Sequence, residues 1–153
     1  MKNDIRQRAR RRLDERLSAL KPENRFQPPH KGWIRAIRDA LGMSGVQLAS
    51  RLGVRPQTVE AVEKSEANGA VQLKTLRRAA ESLDCTLVYA LVPKTSLEDA
   101  VKQRARKIAM RDLRRVAHTM ELEAQGTGEA GMEARIDAYM RDMVKDRDLW
   151  NES

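Results

Sequence analysis

Five side chains within seven residues carry the sharpest chemistry in this sequence: Arg55, Gln57, Thr58, Glu60 and Ala61. That chemistry is recognition, not bond making. The Gln57 carboxamide can pair bidentately with adenine N6 and N7. The Arg55 guanidinium reaches either guanine O6 and N7 or a phosphate, and the sequence leaves both open. Thr58 offers its methyl to thymine or its hydroxyl to phosphate. Glu60 either accepts from cytosine N4 or repels phosphate, and Ala61 completes the set expected against bases. The plainer alternative for each is a solvent-facing position on a helix. Ser44, Gln47, Lys64, Asn68 and Lys74 are expected to contact backbone phosphate. Lys64, Asn68 and Lys74 flank a helix end and the next turn. A helix starting at Ser44 aims free amides and the positive end of its dipole at an anion.

The elements that position these groups are legible. Leu48, Ala49 and Leu52 put one apolar face on a short helix, and Gly53-Val54 breaks it. Pro56 restarts a helix at its first turn, where a missing N–H costs nothing. Val59 and Val62 then form the buried side. Residues 44–66 are therefore two short helices joined by a tight turn containing glycine, the arrangement that places its second helix in a DNA major groove. A helix is predicted before them over 32–41, with Trp33, Ile37 and Leu41 on one face and Ile34 beside them. Another is predicted over 73–83, with Leu73, Leu76, Ala79, Ala80 and Leu83 inward.

Charge agrees with a polyanionic partner. The net charge is +8; residues 1–21 carry 8 basic and 3 acidic side chains, whereas residues 119–153 carry 4 and 9. Solvated arginine-rich faces are the competing reading. With only 3% aromatic residues, the chain lacks the stacking platforms of single-strand or RNA binders, which points to duplex DNA. The single Cys85 and two distant histidines, His30 and His118, show no metal-ligand spacing. No glycine-rich phosphate loop or nucleophile elbow is present. The expectation is a binding protein and not an enzyme, with no cofactor. No apolar run has the length of a membrane span and no secretory signal opens the chain, so a cytoplasmic protein is expected.

The rest of the chain divides as follows: a basic N-terminal helix over 1–21, a proline-rich linker over 22–31, the central domain over 32–93, and a helical hairpin over 94–153. The N-terminal helix carries an apolar stripe, Ile5, Ala9, Leu13, Leu17 and Leu20, expected to lie on the body or on a second subunit. Phe26 is a candidate anchor for the linker. The apolar, β-branched run 85–92 (CTLVYALV) changes period and is predicted as a strand. No second strand candidate exists, so its simplest partner is the same strand of another copy, with Leu87, Val88, Tyr89 and Leu91 at the interface. A short extension of the preceding helix is the alternative. Ser96 opens a long helix to about 123 through a capping box, residues 125–131 read as a hinge, and a last helix is predicted over 132–147 with Ile136, Tyr139, Met140 and Met143 on one face.

Residues 44–66 resemble the Cro/cI (XRE-type) helix-turn-helix family at Leu48-Ala49, Leu52-Gly53-Val54, Thr58-Val59 and Glu63. The resemblance implies a lambda-repressor-like bundle; with the elements read above, the expected fold is mainly α, with one short dimerising β-strand and helical N- and C-terminal extensions. It places Gln57 where a base-reading side chain sits and matches Arg38 and Glu63 to an Arg–Glu pair that ties two helices together. Two departures stand out: Gly45 replaces a frequent phosphate-contacting glutamine, and Pro56 occupies a position that can carry a base-contacting residue. The longer run RPQTVEAVEKSEANGAVQLKTLRRAAESLDCTLVYALVPK is similar to the mobile mystery protein A group. That similarity implies an autorepressor in a toxin–antitoxin-like operon, encoded beside a Fic-domain partner; the homodimer expected from the strand would act on a pseudo-palindromic site in double-stranded DNA. The alternative reading is an antitoxin-type interaction module that neutralises a Fic-domain protein partner.

Overall fold

The computed structural model describes residues 2–119, with side chains to 116, and residues 128–151. Seven α-helices run through them: α1 (Lys2–Ser18), α2 (Trp33–Ala40), α3 (Gly45–Leu52), α4 (Pro56–Ala67), α5 (Leu73–Ser82), α6 (Leu97–Thr119) and α7 (Glu129–Asp142). No helix among the described residues is long and apolar enough to cross a membrane. The chain forms two compact units, one of residues 21–91 and one of residues 1–20 with 92–153.

In the first unit, α2–α5 close on Ile34, Leu48, Ala49, Val59, Ala79 and Leu83, with Ile37, Met43, Leu52, Val54, Val62, Leu76 and Cys85 packed around them. The inward side of α2 is Ile34 and Arg38. Trp33 and Leu41, predicted on the apolar face, are exposed, and the face turned inward is the one that carries Arg38 to Glu63 of α4. Leu73, predicted inward at the first turn of α5, is 44% exposed. Gly32, at φ 86, lets the chain enter α2 where a side chain would collide with the Glu66 carboxylate. That carboxylate accepts from the Ile34 backbone N–H at 2.9 Å and so satisfies an otherwise open amide of the first turn. Phe26 is exposed and anchors nothing.

The predicted dimerising strand over 85–92 is not formed: among the described residues there is no strand at all. A strand is a paired object, and the described residues supply no second segment to pair with. Helical extension does not occur either, since α5 stops at Ser82 and Asp84 takes φ 54. Residues 85–92 leave Val88 80%, Tyr89 62% and Leu91 82% exposed, while Leu87 is half-buried.

The second unit unites two regions that read as separate in sequence: α1 packs along α6, and α7 packs along α6 as well. Ala105 and Ala109 of α6 are buried with Ile136 of α7 and Leu149. Arg104 donates to the carbonyls of Leu149 and Asn151 at 2.6 and 3.0 Å, which ties the C-terminal turn down. Tyr139 donates to Asp112 at 2.9 Å, and Asp112 holds the phenol above its ordinary pKa. Arg106 grips Glu133 with both guanidinium nitrogens and holds that carboxyl below the usual range.

The α6 N-terminus has two caps. Ser96 Oγ accepts from Asp99 N–H at 3.0 Å, one of the two bonds of the predicted capping box. Asp14 of α1 accepts from the Leu97 and Glu98 amides at 2.7 and 3.2 Å. The last helix spans Glu129–Asp142, starting and ending earlier than predicted, and Met143 is exposed. Of the predicted hinge, residues 125–127 lie outside the described residues, as do Met120 and the His118 side chain. Residues 129–131 are already helical.

Candidate nucleic-acid interface

α3 begins with a reciprocal cap. Ser44 Oγ accepts from Gln47 N–H at 3.2 Å, and the Gln47 side-chain oxygen accepts from Ser44 N–H at 2.8 Å. The Ser-x-x-Gln spacing is the sequence signature of this box. It commits the Gln47 oxygen to the cap and leaves its amide NH2 as the group able to donate outward. Gly53, at φ 67, ends α3 in the left-handed conformation, and its N–H and that of Val54 bond back to Ser50 and Ala49 carbonyls. Arg55 is then the N-cap of α4 and Pro56 its first residue.

Two helices with this corner fix the outward face of α4. Val59 and Glu63 are buried, and Val62 is half-buried. Arg55, Gln57, Thr58, Glu60, Ala61, Lys64 and Asn68 are all exposed. Gln57, Ala61, Lys64 and Asn68, spaced four, three and four apart, lie along one line opposite Val59. Thr58 sits to one side, at the edge of a small cavity shared with Thr75 and Arg78 of α5. Ser44, Gln47 and Lys74 are exposed on the first turns of their own helices. The structure thus gathers the five expected base-contacting residues on one helix and keeps the expected phosphate-contacting residues accessible. Lys64 is not a free cation: its ammonium lies 3.1 Å from the Glu60 carboxylate one turn away.

Besides Val59, a polar contact holds α4. Arg38 of α2 donates to both oxygens of Glu63, at 2.6 and 3.2 Å, and to the Met43 carbonyl at 2.9 Å. Both partners of the pair are buried. The Glu63 hydrogen bond raises the Arg38 pKa above its already high ordinary value, overcoming the opposing effect of burial. Sequence reasoning had passed over Arg51 and Arg78, which flank a polar hollow with Ser82 and Asp84. Arg51 donates to the Ser82 carbonyl at 3.0 Å. A signal was available: Arg51 is the basic residue in the last turn of α3, where a cation complements the helix dipole.

A family model described as helix-turn-helix matches residues 34–89, a span that covers the corner, the Arg38–Glu63 pair, all of α3–α5 and α2 apart from Trp33. Residues 34–89 are an XRE-type helix-turn-helix domain. Comparison with curated proteins and with solved structures yields no match. The domain makes the chain a DNA-binding regulator, with α4 in the place of the helix-turn-helix recognition helix. Among the described residues, no group of three or more His, Cys, Asp or Glu side chains converges to hold a metal.

Proposed function

We propose that this chain is a sequence-specific transcriptional regulator that binds a pseudo-palindromic operator as a homodimer. The observation that carries the reading is the split character of α4: Val59 and Glu63 fasten it to the core, and Arg55, Gln57, Thr58, Glu60 and Ala61 remain exposed together. Gln57 is the direct reader, Arg55 contacts guanine or phosphate at the helix start, and Ser44, Gln47, Lys64, Asn68 and Lys74 hold the backbone. A twofold dimer places two such helices about 34 Å apart, one DNA turn. The exposed Val88, Tyr89 and Leu91 support a second copy as partner. So does a neighbouring apolar cavity of about 340 Å3, lined by Trp33, Ile37, Leu76, Ala80 and Val88. Repression of its own toxin–antitoxin-like operon, and neutralisation of a Fic-domain partner, rest on the resemblance to the mobile mystery protein A group.

The test is a titration of wild type and Gln57→Ala against an operator selected from random duplexes. Loss of one bidentate base contact is expected to cost roughly 1–3 kcal/mol and to relax preference at one base pair. Unchanged affinity and unchanged selectivity would show that α4 does not read the site.

A further inference from the structure

α1 buries only the C-terminal end of the apolar stripe its sequence favours: Leu17 is half-buried, and the earlier positions of the stripe are turned outward. The residues it turns toward α6 are Gln7, Arg10, Asp14 and Leu17, all half-buried and spaced three, four and three apart. Its fastenings are polar. Arg10 Nε lies 2.8 Å from Glu98, and Asp14 caps the Leu97 and Glu98 amides. Ile5, Ala9 and Leu13, four apart, are left exposed, with Ile5 at 64% and Leu13 at 45%. Beside this row runs a second one, Arg8, Arg12 and Arg16, also four apart and exposed. Each row spans about 12 Å of helix at 1.5 Å per residue.

We propose that this face of α1 receives an acidic amphipathic helix of another protein. The argument is complementarity of two parallel rows. An apolar row buries against leucine-like side chains spaced at helical intervals, and the arginine row pairs with glutamates or aspartates flanking them. DNA phosphate satisfies the arginines but gives Ile5 and Leu13 nothing. An anionic lipid surface uses both rows weakly, because only two large apolar side chains and no aromatic one are available for insertion. A protein helix contributes apolar area of its own, which compensates for the narrowness of the row. This partner surface is separate from α4 and independent of the operator reading.

The experiment uses the full chain and a fluorescent synthetic helix with leucine at every fourth position and glutamates beside them, followed by anisotropy. Saturable binding is expected. Leu13→Asp should weaken it about tenfold, the equivalent of one buried leucine. Arg12→Glu should weaken it most at low salt. A peptide of the same composition in scrambled order should fail to bind. Ile5→Asp repeats the measurement with a second exposed residue, and circular dichroism confirms the fold of each variant. Equal binding of the scrambled peptide, or unchanged affinity in both aspartate variants, overturns the proposal. So does binding of phosphatidylserine vesicles in place of the peptide, loss of operator affinity in Leu13→Asp without any peptide binding, or a fall in the mass of the free protein, which would assign the row to a second copy.

Discussion

Arg38 and Glu63 show how a single ion pair can be structurally decisive without being a large net source of stability. Each is buried, and each satisfies the other in two hydrogen bonds. Removing one partner leaves a charge stranded in a low-dielectric interior. Arg38→Met is therefore expected to cost about 3–5 kcal/mol in urea unfolding, whereas Arg38→Met combined with Glu63→Leu should recover most of that loss. A double variant no more stable than the single one would contradict this. Lys64 is the opposite case. Its ion pair with Glu60 is exposed on both sides, so breaking it scarcely affects folding. Against DNA the two charges act in opposite senses. Lys64→Ala should weaken binding to all duplexes about equally and lower the salt slope by about one, while Glu60→Gln should strengthen non-specific binding. Salt titrations on one specific and one random duplex check both.

The elements differ in how much of their placement their own residues declare. α3 and α4 were legible because every cue agreed: Ser44 and Gln47 at capping spacing, Leu48 and Leu52 on one face, a glycine where the left-handed turn needs it, and proline at a first turn. α1 was legible as a helix but not in its orientation. Of its predicted stripe, Leu17 and Leu20 are half-buried while Ile5, Ala9 and Leu13 are exposed, because the contacts that decide are made across more than eighty positions of sequence, Asp14 to the α6 amides and Arg10 to Glu98. Periodicity carries no information about such partners. Asp14→Ala should therefore destabilise the unit of α1, α6 and α7 by about 0.5–2 kcal/mol, the usual worth of a helix cap, and raise amide exchange at Leu97 and Glu98. Protection equal to wild type at those two amides would mean that Ser96 suffices alone. The buried Ile136 and Leu149 carry a related lesson, since cutting the chain before α7 would remove half of this core. Point variants are the sounder route to the role of the C-terminal region.

For the whole molecule, the expected strand over 85–92 marks where reading a single chain stops. Its apolar, β-branched composition is that of a paired strand, and the described chain has nothing to pair it with. Val88, Tyr89 and Leu91 stand exposed in consequence. If the homodimer forms through this segment, Val88→Pro should remove a ladder donor and halve the mass seen by light scattering while leaving the fold of residues 34–89 intact. An unchanged mass would move the dimer contact elsewhere. A net charge of +8 adds long-range attraction to DNA, which accelerates encounter and fades with salt.

Glu63 and Glu66 are three apart on α4, and both reach α2, one to the Arg38 guanidinium and the other to the Ile34 amide. Two anchor points along one edge remove the tilt and roll of α4 as independent motions. On the proposed reading of α4 as the DNA-contacting helix, that helix is already aimed in the free protein. Association is then expected to proceed as rigid docking, with little ordering entropy to lose and little heat-capacity change beyond that of the contact surface itself.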